Sequence, residues 1–516
     1  MFVRLQDLED GQDLKCDVCI VGAGPAGITL ALELAAAGVD VALFESGSFE
    51  YDDAVQNMYE GQPNGGHSYS LTTTRQRMFG GTSNHWGGRC RPLDPLDFQQ
   101  RAWVPGSGWP FPRTELEPYY TRAQSIVEIG PPEYGLDYWL NHFGFPKDRV
   151  VFDDRGPVQA KIFQMSPPTN FGEVYKDAIK KASSLRCYLF LNAVRIDIGG
   201  SGDEVQAIRF QALSGKRVKC SAKRYVLAVG GIEVPRLLLY SNDVQGRGIG
   251  NANDMVGRYF QDHIYIQNAA TAYLPVTWVK GPLFEKWFLR KAEGLEDSGW
   301  AAVVKAPSRA GHTLVSPGFG LSELAQKEHR LPNVGGWIQG NPKPVELTAE
   351  ELAAPVLQVF RNSPAPVMKY IISTLSEQPP NPESRVTLYG RRDALGVPRL
   401  RLAWRVTEFD TRSIYRTLEL MGGQLAARNI GRLRLHRRPP FTDWKFGGGA
   451  HHMGTARMHD DPRRGVTDAN TRVHSTRNLY IAGSATFPTG GFVNPTLTII
   501  AMSLRLANHL TEVLRQ

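Results

Sequence analysis

The chain runs Asp17-Val18-Cys19-Ile20-Val21, then Gly22-Ala23-Gly24-Pro25-Ala26-Gly27, then Ile28, Leu30, Ala31, Leu32, Leu34 and Ala35 at helical spacing, with Gly38 after them. Val39 to Glu45 follows as a second apolar run. This is a strand, a glycine-rich turn, a helix and a strand, the opening unit of a doubly wound sheet. The three glycines of Gly22-x-Gly24-x-x-Gly27 permit a tight turn, close approach of a pyrophosphate, and close packing of helix on strand. The helix N-terminus then faces the phosphates with its partial positive charge. Glu45 ends the second strand, where a carboxylate accepts from ribose hydroxyls and repels a 2'-phosphate. The unit therefore predicts a dinucleotide other than NADP. By itself it does not choose between NAD and FAD.

Outward from this unit, the composition is that of an ordinary globular chain. There are 516 residues, 42% hydrophobic and 21% charged. That excludes a disordered chain, a collagen and a small disulfide scaffold. The 52 Gly and 34 Pro are scattered, which predicts many tight turns. Lys plus Arg is 59 against 51 for Asp plus Glu, a formal charge of +8. Spread over this length it is mild, and the densest basic stretch, Arg432 to Arg438, reads as a solvated face. No nucleic-acid partner is expected. Cys16, Cys19, Cys90, Cys187 and Cys220 are too few and odd for a secreted disulfide framework. Cys16-x-x-Cys19 lies inside a strand with no second pair, so no metal is expected. No signal region and no long apolar run are present, which predicts a cytoplasmic protein without a membrane span.

Further along, helices are predicted over 118–129, 171–182, 407–428 and 495–514. Strands are predicted over 185–198, 205–211, 216–221, 225–229 and 478–482. Residues 385–405 alternate around turns at Gly390 and Gly396 as antiparallel strands would. Residues 60–115 form a long Gly/Pro-rich stretch that suggests a functional loop region. Segment 272–290 carries Tyr273, Trp278, Phe284, Trp287 and Phe288, readable as core or as a substrate lid. Nucleotide-type elements at both ends flank a strand-containing middle. The expected fold is α/β (α+β overall): a Rossmann-like cofactor domain from discontinuous segments 1–95, 160–262 and 440–516. A substrate domain with an antiparallel sheet, 96–159 and 263–439, is inserted in it.

Three later stretches carry chemistry. Gly80-Gly81-Thr82-Ser83-Asn84-His85-Trp86-Gly87-Gly88 lets backbone approach something flat or charged. Ala450-His451-His452-Met453-Gly454-Thr455 supplies histidine, the natural general base near neutral pH. Asn494-Pro495-Thr496 reads most simply as an N-cap with Pro at the first helical position. Paired histidines can bind metal, but no Asp or Glu stands at ligand spacing to them.

Taken in this order and spacing, the pieces resemble the glucose–methanol–choline (GMC) oxidoreductases, in a branch similar to pyranose oxidases and bacterial sugar or glycoside dehydrogenases. The resemblance rests on Gly22 to Gly27 with Glu45, Gly80 to Ser83, Val229-Gly230-Gly231-Ile232, His451-x-x-Gly454-Thr455, Asn478 to Ser484 and Asn494 to Thr496. It implies FAD, with the pyrophosphate at Gly22, Gly24 and Gly27, the ribose at Glu45 and the adenine near Val194. Gly80, Gly81, Thr82, His85, Gly483, Pro495 and Thr496 would line the flavin. His451 takes the family's first catalytic position and Asn494 the second; His452 is given no role. In some relatives a histidine in the context of His85 is bonded to the flavin, and in others it is not.

The implied activity is oxidation of a CH–OH group to a carbonyl, by proton abstraction and hydride transfer, on a sugar, glycoside or related polyol. The electron acceptor is oxygen, a quinone or another acceptor. Weighed against this are an FAD-containing lyase like the hydroxynitrile lyases, an oxidase or dehydrogenase of a non-sugar alcohol, a non-catalytic flavin protein, and an NAD enzyme. The oligomeric state is not legible.

Overall fold

The computed structural model describes residues 1–64, 69–144, 147, 150, 152–167, 169–275, 302–305, 312–339, 344–361, 366–437 and 446–516. Two large sheets dominate it. In the first, eight-stranded sheet, strands Phe2–Val3, Leu185–Tyr188, Val41–Phe44, Gln12–Val21, Arg217–Leu227 and Leu479–Ile481 run parallel. Val205–Gln211 and Asn192–Ile198 extend it antiparallel. The central strands are apolar throughout, as strands covered on both faces must be: Val18, Cys19 and Ile20 are fully buried, as are Val41, Leu43 and Phe44.

Four helices frame the site: α1 (Pro25–Ala36), α2 (Gly230–Tyr240), α3 (Glu408–Ala427) and α4 (Thr496–Arg515). Helices α1 and α4 pack together over one face of the first sheet, burying Ile28, Leu30, Ala31 and Leu34 with Leu497, Ile500, Ala501 and Leu504. Thr407 opens α3, accepting from the Asp410 backbone N–H while the Asp410 carboxylate accepts from that of Thr407.

The second sheet has ten antiparallel strands. Its main order is Arg432–Leu435, Ile264–Pro275, Val367–Ser376, Val334–Gln339, His312–Leu321, Val158–Met165 and Arg89–Cys90. Glycines line up across it at Gly320 and Gly335, which are directly paired. A Cβ at Gly335 would lie 2.2 Å from the Phe492 ring, so these glycines let Phe492 settle onto the sheet two residues before Asn494. Strand Val158–Met165 belongs to this sheet throughout, so the second sheet runs to residue 165, five residues past the start of the expected cofactor segment at 160.

Several elements differ from the sequence reading. The predicted strand 185–198 is two strands. Phe190, with φ 63°, turns the chain between them, and the N–H groups of Phe190 and Leu191 donate to the carbonyls of Gly47 and Glu45. The predicted strands 216–221 and 225–229 are one, Arg217–Leu227. The predicted helix 171–182 is two short ones, broken at Tyr175, whose hydroxyl donates to the Ile126 carbonyl at 2.6 Å. Of segment 272–290, Tyr273 is a buried strand residue; Trp278, Phe284, Trp287 and Phe288 lie outside the described residues, as does Arg438.

Candidate active site

A continuous cavity of ≈590 Å³ lies between the two sheets. Twelve of the fourteen expected site residues line it: Gly22, Gly24, Glu45, Gly81, Thr82, His85, Val194, Gly483, Pro495, Thr496, His451 and Asn494. Gly27 and Gly80 do not. A Cβ on Gly27 would fall 1.9 Å from the Gly22 carbonyl oxygen, so this glycine seats α1 against the strand behind the turn. Gly80, at φ 94°, backs onto Gly172 and donates its N–H to the Ala23 carbonyl at 2.8 Å. It thereby joins the two glycine loops from behind.

The cavity's polar walls match a dinucleotide. Gly24 opens α1 with no side-chain cap and no acidic residue in the first turn, so the helix's free N–H groups and dipole face the cavity unanswered. Helix α4 starts in the same way, with Pro495 at its N-cap. Two uncapped helix N-termini in one cavity are what an anionic pyrophosphate and an electron-rich ring each require. Glu45 is held by the Ala23 N–H at 2.9 Å on one oxygen and by the Gly47 N–H and Ser46 hydroxyl at 3.0 Å on the other. Its carboxylate retains lone pairs for ribose hydroxyls. The residues present fit FAD.

At the far end of the cavity stands His451. Its Nδ1 is 2.7 Å from Nδ1 of His263, and the Nε2 of His263 is 2.8 Å from the Gly491 carbonyl oxygen. A carbonyl can only accept, so His263 Nε2 carries the proton. The Nδ1 of neutral His263 then accepts, which puts the proton of His451 on Nδ1. The Nε2 of His451 is left with its lone pair, toward which the Asn494 side-chain amide donates at 3.1 Å. Burial pulls both histidines toward the neutral form. His451 lies well below its ordinary pKa, with His263 and His452 adding to the effect, and His263 falls to about 4.

The backbone holds His451 in place. Ala450 takes a positive φ of 58°, and the His451 N–H donates to Asp262 at 2.9 Å. The other Asp262 oxygen accepts from the Tyr69 hydroxyl at 2.5 Å. Burial raises Asp262 to about 6. Asn494 is not a cap: α4 begins at Thr496, and the Asn494 amide turns to His451 instead. Its buried Oδ1 has no partner among the described residues and is left free for a ligand.

Sequence reasoning missed His263, Asp262 and Tyr69. Gln261-Asp262-His263 enters a buried strand, where a histidine is indistinguishable from core; only the fold brings it to His451, 188 positions away. His452 is buried against Phe260 and Tyr69, with no hydrogen bond to its Nε2 among the described residues. His85 is exposed to the cavity, and burial lowers its pKa.

Comparison with known proteins agrees with this geometry. Residues 380–503, which carry His451 and Asn494, match the GMC oxidoreductase family, and residues 15–54 match an FAD-binding domain. Residues 380–503 thus form a GMC oxidoreductase domain. It is 25% identical to the fructose dehydrogenase large subunit of Gluconobacter japonicus, over 98% of this chain and 99% of that one. It is also 25% identical to paromamine 6'-oxidase of Streptomyces fradiae, over 96% and 91%. Among solved structures, a fungal aryl-alcohol oxidase aligns with a TM-score of 0.60 at 14% identity, covering 99% of this chain and 100% of that one. Formate oxidase aligns at 0.59 and 15%, covering 98% and 100%. The protein is an FAD-dependent oxidoreductase acting on a CH–OH group. The comparisons support that reading and not the lyase alternative. No helix among the described residues is long and apolar enough to cross a membrane.

Proposed function

We propose that the chain oxidises a secondary alcohol on a sugar or glycoside ring, with His451 as the base and Asn494 as its partner. The observation that carries the assignment is the proton inventory of the histidine pair: the Gly491 carbonyl, through His263, makes Nε2 of His451 an acceptor, with the Asn494 amide beside it. The names of the relatives support the substrate class: fructose, paromamine and, over part of the chain, C-glycosides. A non-sugar alcohol is supported by one relative, a 2-methyl-1,2-propanediol dehydrogenase.

The flavin, when bound, supplies the acceptor for the hydride leaving the carbinol carbon. The protein supplies position and charge. The substrate hydroxyl sits between His451 Nε2 and the Asn494 amide. His451 takes the hydroxyl proton, and Asn494 donates to the oxygen as negative charge builds on it. The imidazolium so formed keeps its Nδ1–H on His263, so its charge is met by an acceptor already in place. The uncapped start of α4 directs its positive end at the same region of the cavity.

The cofactor unit from 1–95, 160–262 and 440–516 and the inserted substrate unit are part of the same proposal, as are oxygen, a quinone or another acceptor for the electrons. A cytoplasmic location goes with it, on the ground that all five cysteines are free thiols. The test is the anaerobic visible spectrum of the yellow holoenzyme as sugars, glycosides, polyols and simple alcohols are added in turn. Bleaching by a sugar or glycoside is the expected result. Bleaching by simple alcohols alone would overturn the substrate class, and no bleaching by any alcohol would overturn the reading itself.

A further inference from the structure

One face of the second sheet closes the reaction end of the cavity. Residues directly paired across antiparallel strands share a face. Tyr265 pairs with Leu375 and Leu375 with Gly335, two residues from Trp337. At the edge, Arg89 pairs with Met165, two residues from Phe163. Across this wall stand, in order, His263, Tyr265, Trp337 and Arg89. The Tyr265 and Trp337 rings are stacked, 5.6 Å apart at 22°, and the Arg89 guanidinium lies over Trp337 at 4.5 Å and over Phe163 at 5.4 Å. Arg89, Tyr265 and Trp337 all line the cavity.

Among the described residues four arginines reach this cavity, and three of them share two protein carboxylates. Arg75 meets Glu233 at 2.8 Å, Arg77 meets it at 3.5 Å, and Arg236 meets Asp393 at 2.5 Å. Arg89 meets no carboxylate among the described residues. Burial lowers its pKa to about 10, so it is charged at neutral pH. A guanidinium withdrawn from water without an anion is costly, and two aromatic faces return only part of that cost. Its five donors in a planar fork match a carboxylate in two parallel hydrogen bonds. A phosphate dianion would want a second cation beside Arg89, and the other three arginines are each bonded to Glu233 or Asp393.

We propose that Arg89 determines specificity by receiving a carboxylate on the substrate, so that this enzyme favours a sugar acid or acidic glycoside over its neutral counterpart. The proposal rests on the alcohol-oxidising reading above. The stacked Tyr265–Trp337 slab between His263 and Arg89 is a flat wall against which a sugar ring lies, its hydroxyl toward His451 and its acid group toward the guanidinium.

The test uses the holoenzyme and two readouts. In the first, the oxidised flavin spectrum is titrated with sodium benzoate and with benzamide, its neutral isostere. A saturable perturbation by benzoate, at least ~10-fold tighter than with benzamide and weakened at least ~10-fold in Arg89→Met, is expected, since one good charge-assisted pair supplies about that factor. In the second, anaerobic flavin reduction is compared for methyl glucopyranosiduronate and methyl glucopyranoside. The acid should half-saturate at lower concentration, and Arg89→Met should erase the difference. Arg89→Lys, which keeps the charge but not the fork, should fall between and serves where the methionine variant folds poorly. Equal response to benzoate and benzamide, or discrimination that survives in Arg89→Met, would overturn the proposal. If no alcohol bleaches the flavin yet benzoate still registers through Arg89, the anion site stands and the proposed function falls.

Discussion

At the scale of single residues, the site is a proton inventory. The Gly491 carbonyl fixes His263, His263 fixes His451, and His451 presents Nε2. His451→Ala should therefore slow flavin reduction by roughly 10²–10⁴-fold, the usual worth of a positioned base, while FAD stays bound; stopped-flow reduction and the flavin-to-protein absorbance ratio check both halves. His263→Phe removes the acceptor without touching substrate. Reduction should fall by about 10–100-fold, as when the supporting partner of a metal-bound histidine is lost. The pH profile gives a second signature. A base works only when deprotonated, so the rate is lost as pH falls through its pKa. In the native protein burial holds that pKa well below 6.5, and the acid limb should lie well below 6.5. In His263→Phe burial persists and the imidazolium loses the acceptor for its Nδ1–H, so the limb should move further down. A limb that stays in place would remove His263 from the mechanism.

At the scale of elements, glycines decide how closely the parts meet. Gly335 lies where a Cβ would stand 2.2 Å from the Phe492 ring and 2.6 Å from the Phe319 carbonyl oxygen. Gly335→Ala should cost about 1–3 kcal/mol, the usual penalty of overpacking. By displacing Phe492 it should also slow flavin reduction, since Asn494 is two residues on. Phe492→Ala in the same chain should restore part of the stability if the clash is the cause. Gly27→Ala brings a Cβ to 1.9 Å from the Gly22 oxygen, against backbone rather than a flexible side chain. Its expected outcome is loss of FAD on purification, seen as a colourless protein.

At the scale of the whole molecule, a buried ion pair ties the loop after the first glycine stretches to the second sheet. Arg101 and Glu377 are fully buried and meet in two hydrogen bonds, at 2.8 Å and 2.5 Å. Glu377 also accepts the Asn333 N–H at 2.8 Å. Arg101→Met leaves a buried carboxylate without its partner and should cost about 3–5 kcal/mol, whereas Arg101→Met with Glu377→Met should recover most of that. Thermal unfolding of the two variants makes the comparison. Because the cofactor cavity lies between the sheets, FAD removal should lower the unfolding temperature. At a thousandfold excess over its dissociation constant FAD contributes about 4 kcal/mol.

The local pattern of residues 17–45 was sufficient for the strand–turn–helix–strand unit and its glycines, because tight turns and helix packing are short-range constraints. The order of motifs was sufficient for the family and its cofactor. Helices α3 and α4 were legible within a residue or two from their periodicity and Thr407. The break at Phe190 was not, because the carbonyls of Glu45 and Gly47 that reward it lie far back in the chain. Asn494 looked like a cap because N-cap preference is local, yet its amide answers to a histidine 43 positions earlier. His263 and Arg89 had no signal, since a buried histidine and a strand arginine look alike wherever they occur. Residue pattern alone determined the cofactor and brought forward His451 as the proposed base. The tertiary structure decided the base's tautomer and left one cavity arginine without a protein carboxylate, because both depend on which groups meet across two sheets.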